Sequence, residues 1–182
     1  MFKSKLRKKI IKIREKVNKN NIQIDFNHIL KILKEERISK KMIGGYYPVN
    51  FEIDDLELLK KLESKDFIIS LPVIKKNFQM DFYEYSFKDP LKINNLGIPE
   101  PVKTLNKRIP DLIFVPLVGF DNKFNRLGYG GGFYDRYFEK NSKLKKIVKI
   151  GLAFSFQKIK KVPVTKYDRK LDRIITEKKR KV

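Results

Sequence analysis

The sequence predicts a single-domain α/β protein with an open, mostly parallel sheet and helices on both faces. Segments with helical periodicity alternate with short apolar runs, an order typical of open sheets joined by right-handed crossovers. The run Leu112–Val118 is apolar at nearly every position, as expected of a strand buried on both faces of a parallel sheet. The length of 182 residues and the hydrophobic content of 41% suit one domain with its own core.

The first half of the chain is predicted to hold three helices and three strands. Apolar residues at helical spacing predict a first helix from Lys3 to about Val17. The residues expected on its buried face are Leu6, Ile10, Ile13 and Val17. A second helix is expected after Asp25 or Asn27, and a third after Asp54 or Asp55, because these side chains can cap a helix N-terminus. The predicted strands are Met42–Tyr47, Phe67–Ile74 and Met80–Phe87.

The second half begins with a proline-rich loop, Lys88–Pro110, whose apolar residues indicate a crossing or binding loop and not a domain linker. The segments predicted after it are a strand at Asp111–Val118, a glycine-rich loop at Gly119–Gly132, a helix from Phe133 to about Lys140, and strands at Ile147–Phe154 and Arg173–Thr176.

The composition excludes several classes of protein. The chain has no cysteine and one histidine, which excludes a disulfide scaffold, a thiolate zinc site, an iron–sulfur cluster, a cysteine nucleophile and a histidine-rich metal site. The apolar runs fall far short of the ~20 residues that span a bilayer, and no apolar signal core follows the first residues. The sequence therefore predicts a cytoplasmic protein with no membrane partner.

The net charge of +22 has two interpretations. Lysine, isoleucine and asparagine are all abundant, and an AT-rich coding sequence enriches them without selection on function. Alternatively, the charge attracts a phosphorylated small molecule or a nucleic acid, and a non-catalytic nucleic-acid-binding protein is the second function that we consider. The basic C-terminal tail, about residues 177–182, is expected to be a solvated, frayed end.

The glycine-rich loop carries the strongest chemical signal. Gly128 and Gly130–Gly132 place four glycines within five positions, between a buried strand and a predicted helix. Glycine allows positive φ and close approach of the backbone, so successive N–H groups can point at an anion. Arg126 adds a donor suited to phosphate, and Asp135 could hold a magnesium ion. The spacing matches neither the P-loop nor the dinucleotide motif, so a purely structural turn stays open on composition alone.

The segment Pro116–Arg136 resembles the signature of the 5-formyltetrahydrofolate cyclo-ligase family, also called methenyltetrahydrofolate synthetases. It contains a proline, a Phe-Asp pair and the run R-L-G-x-G-x-G-F-Y-D. Further matches extend the resemblance over most of the chain in the family's order: the K-x-x-L-R of Lys3–Arg7, Tyr47-Pro48, Phe51–Asp54, Leu71-Pro72, Met80, Gly97–Pro101, Val162-Pro163 and Asp168.

The resemblance implies a Rossmann-like fold of the NagB/RpiA/CoA-transferase-like kind. It also implies an ATP- and Mg2+-dependent carbon–nitrogen ligase that converts 5-formyltetrahydrofolate to 5,10-methenyltetrahydrofolate, with release of ADP and phosphate. In the family's route the formyl oxygen is phosphorylated before N10 attacks the activated carbon. The implied partner is a small-molecule folate, which could be polyglutamylated, and the implied enzyme is a monomer with no obligate nucleic acid.

The resemblance also assigns roles to residues, motif by motif. Arg126 and Lys3 are implied as catalytic residues and Asp135 as the metal ligand, while the second metal ligand, for which Asp172 is one candidate, stays open. The implied ATP-binding residues are Lys3, Ser4, Lys5, Leu6, Arg7, Arg126, Leu127, Gly128, Tyr129, Gly130, Gly131, Gly132, Phe133 and Tyr134. The implied substrate-binding residues are Tyr47, Glu52, Met80, Tyr129, Gly131 and Phe133.

Overall fold

The computed structural model describes residues 2–17, 22, 24–38, 41–102 and 106–178. Its main sheet has six strands and runs from one edge to the other in the order β10 (Arg173–Ile175), β9 (Val148–Leu152), β6 (Leu112–Pro116), β1 (Met42–Gly44), β2 (Ile68–Lys75) and β3 (Gln79–Glu84). All neighbouring strands are parallel except β2 and β3, which form an antiparallel hairpin. The predicted open, mostly parallel sheet is confirmed.

Helices cover both faces of the sheet, as predicted. The helices in the described part are α1 (Phe2–Lys16), α2 (Phe26–Glu35), α3 (Leu56–Glu63) and α4 (Phe133–Asn141). Phe114 of β6 belongs to the core beneath α2 and α3, whereas its neighbour Val115 belongs to the core beneath α4. Because successive side chains of a strand point to opposite faces, this alternation places the two helix layers on opposite sides.

The strand β1 is shorter than its predicted range, Met42–Tyr47. It ends at Gly44 because the backbone N–H of Tyr46 donates to the carboxylate of Asp55 at 3.0 Å and not to a neighbouring strand. Asp55 is thus turned into the core, and Asp54 accepts the N–H of Leu56 at 2.8 Å at the start of α3. At the start of α2, Asp25 is the cap, as predicted.

Two segments predicted only as loops contain short hairpins, and in this respect the prediction was wrong. Residues 88–110 include β4 (Leu91–Ile93) paired with β5 (Pro99–Pro101), and the segment before the glycines includes β7 (Gly119–Phe120) paired with β8 (Arg126–Leu127). Strands of two or three residues are too short to show the alternation that predicts a strand.

The predicted buried face of α1 needs correction. Ile10 is buried as expected, but Ile13 is exposed and Arg14 takes the interior position, with 1% of its surface accessible. The guanidinium of Arg14 donates to the Leu117 carbonyl at 3.2 Å and to the Tyr129 hydroxyl. A buried charge is tolerated when it finds such acceptors, and helical spacing alone does not reveal them.

The described part of the C-terminal tail is tied to the fold, because Glu177 accepts hydrogen bonds from the backbone N–H and the hydroxyl of Ser155 at 2.8 and 2.6 Å. Residues 179–182 of the predicted frayed tail lie outside the described residues. Across the described ranges, the helices are all too short or too polar to traverse a bilayer.

The order of the strands in the sheet reverses direction at β1. The chain passes from β1 to its neighbour β2 on one side, and later returns to β6 on the other side. In open α/β sheets the crevice outside the carboxyl ends of strands at such a reversal is where ligands bind. Tyr46 and Tyr47 follow β1 at this edge, and Pro116 ends β6.

Candidate active site

A cavity of about 520 Å3 opens at the carboxyl ends of β1 and β6. A volume of this size accommodates small-molecule ligands. The predicted site residues that line it are Lys3, Arg7, Tyr47, Glu52, Met80, Arg126, Leu127, Gly128, Tyr129, Gly130, Gly131, Gly132, Phe133, Tyr134 and Asp135. Three predicted residues are outside the lining: Ser4 and Lys5 are exposed, and Leu6 packs against the cluster around Ile10.

The glycine-rich loop lies against helix α1. Gly130 has φ +110° and Gly132 has φ +68°, both in the region that favours glycine. The Nε of Arg7 donates to the Gly128 carbonyl at 2.7 Å, and a Cβ added at Gly130 would lie 3.3 Å from the Arg7 guanidinium carbon. The absence of side chains therefore lets the loop approach Arg7 closely. Lys3 and Arg7, one helical turn apart, both reach the cavity, as their spacing predicts.

Two cations of the cavity are paired with carboxylates. The Nη2 of Arg126 lies 3.0 Å from Oδ2 of Asp135, and the Lys3 Nζ lies 2.9 Å from Oδ2 of Asp168. Burial alone would raise the pKa of Asp168, but the hydrogen bonds from Lys3 and Thr165 outweigh it and hold the pKa below its ordinary value. Asp168 is therefore ionised at neutral pH. Each of the two carboxylates is oriented by its ion pair.

Asp135 and Asp168 lie on the same border of the cavity. The backbone N–H of Arg169, the residue after Asp168, donates to Oδ1 of Asp135 at 3.0 Å and ties the two segments together. No group of three or more His, Asp or Glu side chains arranged to hold a metal ion occurs within the described ranges. Asp172, the candidate second ligand, instead lines a different cavity and accepts from Lys149.

Glu52 is a buried carboxylate on the cavity wall. Its Oε2 accepts the backbone N–H of Val49 at 2.9 Å, while its Oε1 has no hydrogen-bond partner among the described residues. Burial raises the pKa of Glu52 to about 7, although the Val49 N–H, the Tyr129 hydroxyl and the Arg14 guanidinium all favour the charged form. A buried acceptor without a donor is costly, so this oxygen is suited to a ligand that brings an N–H group.

Arg14 is a component of the site that the sequence did not single out. Its guanidinium donates to the hydroxyl of Tyr129, a cavity residue, and its charge favours the ionised form of Glu52. Arg14 thus sits behind the polar wall without lining the cavity. The neighbouring residues of Arg14 do not predict its burial, because α1 is rich in charged side chains. The hydroxyl that accepts its hydrogen bond belongs to Tyr129, 115 residues away in the chain.

The remaining wall is apolar. Met80 is buried, and Phe133 and Tyr47 are half-buried on the lining. The sequence did not single out Phe78, an exposed aromatic residue on this wall. The hairpin β4–β5 also contributes to the lining, so the expectation of a binding loop in this region fits its position. The residues it contributes are Asn94, Leu96, Ile98 and Pro99.

The chain is thus an α/β protein with an open sheet and a cavity at the carboxyl ends of its strands. One half of this cavity is basic and is bordered by the glycine-rich loop, and the other half is apolar. The chain belongs to the 5-formyltetrahydrofolate cyclo-ligase family, because the model of that family matches residues 1–177. This confirms the resemblance that the motifs indicated.

Individual relatives agree with this assignment. The chain is 34% identical to 5-formyltetrahydrofolate cyclo-ligase of Haemophilus influenzae over 148 residues, which cover 78% of this chain and 77% of the relative. It is 30% identical to the enzyme of the same name from Mycoplasma genitalium over 159 residues, or 85% and 86% of the two chains.

Solved structures show the same fold. The solution structure of Aquifex aeolicus 5,10-methenyltetrahydrofolate synthetase matches with a TM-score of 0.78 and 29% identity, over 98% of this chain and 91% of that one. The synthetase from Mycoplasma pneumoniae matches with a TM-score of 0.75 and 25% identity, over 98% of this chain and all of that one.

Proposed function

We propose that this protein catalyses the ATP- and Mg2+-dependent cyclisation of 5-formyltetrahydrofolate to 5,10-methenyltetrahydrofolate, with release of ADP and phosphate. The observation that carries the proposal is the single cavity that joins a basic, glycine-walled half to an apolar half containing Glu52. Phosphoryl transfer demands positioning and charge neutralisation more than a protein nucleophile, which suits a site without cysteine or histidine.

The basic half fits the triphosphate of ATP. Lys3, Arg7 and Arg126 supply positive charge at its wall, and the glycines between 128 and 132 leave room for the backbone to approach phosphate oxygens. In this proposal Arg126 and Lys3 are the catalytic residues, because they neutralise charge on the transferred phosphoryl group. Arg7 and the loop hold the nucleotide.

Magnesium fits the acidic border of the same half. Asp135 is the proposed ligand, and the carboxylate of Asp168 is close to it in the fold. Carboxylate oxygens are the ligands that Mg2+ prefers, together with water and phosphate oxygens. The ion would supply charge neutralisation to the phosphates. To bind the ion, Asp135 would have to release its ion pair with Arg126, and Asp168 its ion pair with Lys3.

The apolar half fits the folate. Flat faces of Tyr47, Tyr129 and Phe133 suit the flat pterin, Met80 fills the wall, and the free oxygen of Glu52 can accept a pterin N–H. The formyl oxygen attacks the terminal phosphorus of ATP and ADP leaves. N10 then attacks the activated formyl carbon, its proton passes to the departing phosphate, and the bond from that carbon to the phosphorylated oxygen breaks.

The test is the absorbance of the methenyl product, whose conjugated cation is absent from the substrate. Product should form from 5-formyltetrahydrofolate only when ATP and magnesium are both present, with one ADP released for each product. Omission of ATP and chelation of the metal are the matched controls. Failure to form product under any folate, ATP and metal condition would remove the proposed activity.

A further inference from the structure

The turn between β2 and β3 has an unusual backbone. Residues 76–78 connect Lys75 and Gln79, which pair with each other in the ladder. Asn77 has φ 58° and Phe78 has φ 55°, both in the left-handed region. Asparagine tolerates this region, but a bulky aromatic residue rarely adopts it. Strain of this kind persists where the surrounding structure enforces it, and it concentrates at ligand sites.

The strained turn places the ring of Phe78 at the cavity. The residue is 64% exposed, and it still lies on the cavity wall beside Met80. Its ring centroid is 5.9 Å from that of Phe133, with 58° between the planes, so the two rings form one aromatic surface. An exposed aromatic ring at the opening of an apolar pocket gains free energy when a ligand covers it.

Arg136 of helix α4 fixes this arrangement. Its Nε and Nη2 both donate to the Phe78 carbonyl, at 3.0 and 2.9 Å, and Nη2 also donates to the Gly131 carbonyl. Its guanidinium carbon lies 5.6 Å from the Phe78 ring centroid and 5.8 Å from that of Phe133. A planar guanidinium can make this set of contacts, whereas a lysine ammonium lacks the fork and the stacking face.

We propose that Phe78 is a further substrate-binding residue, which covers a flat ring of the folate, and that Arg136 is its positioning residue. The inference rests on the proposed function, because it assigns the ligand of the apolar half as a folate. It adds to that function an aromatic surface built by the β2–β3 turn. Neither residue lies among the site residues that the sequence motifs indicated.

The test is calorimetric titration with 5-formyltetrahydrofolate alone, and separately with a non-hydrolysable ATP analogue. Phe78→Ala should weaken folate binding about tenfold, the effect of losing one ring contact of ~1.4 kcal/mol, and should leave nucleotide affinity within about twofold. Leu144→Ala is the matched control, since Leu144 is 71% exposed and lies outside the cavity. Phe78→Gly removes the ring together with the backbone strain, so it should keep or raise the melting temperature while folate binding is weakened by a similar factor.

Arg136 is tested by a double-mutant cycle. Arg136→Ala should weaken folate binding at least as much as Phe78→Ala, because Arg136 also contacts Gly131 and Phe133. In the double variant the two losses should be clearly less than additive, because both remove the contact that Phe78 makes. Arg136→Lys should not restore binding. A purely structural role of Arg136 would instead give additive losses.

The outcomes separate this inference from the proposed function. Wild-type protein that binds folate but forms no product would refute the catalytic proposal alone, and Phe78 would still be judged on binding. Equal folate affinity of wild type and Phe78→Ala would overturn the inference and leave the catalytic proposal intact. A wild type that binds no folate would overturn both.

Discussion

At the scale of single residues, the carboxylates of the cavity divide into two kinds. Asp135 and Asp168 each lie 2.9–3.0 Å from a cation, whereas Glu52 has one backbone donor and an oxygen with no partner among the described residues. The first two carboxylates are each held by a cationic side chain. The third is buried at a cost that a ligand N–H would relieve. Burial accordingly raises the pKa of Glu52 to about 7.

Glu52→Gln should stabilise the free protein at pH 8. The folded pKa of about 7 lies above the ordinary 4.5, so between these pH values the folded state holds a proton that the unfolded chain has released, and at pH 8 the folded state buries a charged carboxylate. The stability associated with this group is present below pH 4.5 and is lost as the pH rises through 7. Glutamine keeps the neutral form, so the free energy of unfolding at pH 8 should rise by about 3 kcal/mol, and the gain should shrink toward pH 4.5. Urea denaturation at several pH values measures it.

The same residue should make folate binding depend on pH. If ionised Glu52 accepts the pterin N–H groups, folate affinity of the wild type should fall as the pH drops below about 7. Arg14→Met removes a charge that favours the ionised form, so the midpoint should move to higher pH. A calorimetric titration series between pH 5.5 and 8.5 checks both, and a flat profile in the wild type would exclude Glu52 as the acceptor.

Arg126→Ala should lower turnover by a factor of at least about 100, because a charge that stabilises the transferred phosphoryl group is lost. Arg173→Ala is the matched control: Arg173 also forms an ion pair, with Glu36 at 2.8 Å, but away from this cavity. Steady-state kinetics and circular dichroism on both variants make the comparison. If the two variants kept equal activity, Arg126 would have no part in the reaction.

At the scale of elements, helix α1 supports the glycine-rich loop. Arg7 bonds to the Gly128 carbonyl and Arg14 to the Tyr129 hydroxyl, so α1 holds successive residues of the loop from behind. The loop in turn leads directly into α4 at Gly132. The position of the loop is thus set by two helices, and its backbone conformation is set by the glycines.

Gly130→Ala should impair nucleotide binding more than the same substitution at Gly97, a second glycine with positive φ. Gly130 has φ +110° and an added Cβ would press on Arg7, whereas Gly97 has φ +74° and an added Cβ would meet nothing within 4 Å. We expect nucleotide affinity to fall about tenfold or more in Gly130→Ala, and to stay near the wild-type value in Gly97→Ala. Thermal denaturation of both variants reports the strain, and calorimetry reports the binding. Equal nucleotide affinities would show that the approach of the loop to Arg7 is unimportant.

The sequence predicted the elements whose signal is local. Continuous apolar runs located the parallel strands, Asp25 located the start of α2, and the glycines located the loop. It did not predict features that depend on distant partners. Arg14 is buried because Leu117 and Tyr129 accept its hydrogen bonds, and Phe78 reaches the cavity because Arg136 holds its carbonyl. Such contacts leave no periodic pattern in the chain.

At the scale of the whole molecule, the most prominent feature is the net charge of +22. Many of the basic side chains are already paired: Lys75, Lys107 and Lys140 all lie within 3.1 Å of the carboxylate of Asp81. Three lysines around one carboxylate on the β3 edge leave local positive charge, and none of the three lines the cavity that contains Arg126. This arrangement favours a compositional origin for the surplus of lysine over a built nucleic-acid site.

We therefore expect weak and unspecific binding of nucleic acid. Fluorescence anisotropy with duplex and single-stranded DNA at physiological salt should give dissociation constants above micromolar, falling steeply only when salt is lowered. Sub-micromolar affinity at physiological salt would revive the nucleic-acid-binding alternative.

The prediction of a monomer is tested by sedimentation velocity of the protein without DNA.

The contacts of α1 also fix when the site can mature during synthesis. Lys3 pairs with a residue 165 positions later, Arg7 with one 121 later, and Arg14 with one 103 later. A nascent chain with only its first hundred residues outside the ribosome already contains α2, α3 and the β2–β3 hairpin, but none of these three partners. Helix α1 must therefore wait for partners that are synthesised much later, and the cavity is complete only once the chain as far as Asp168 has left the ribosome.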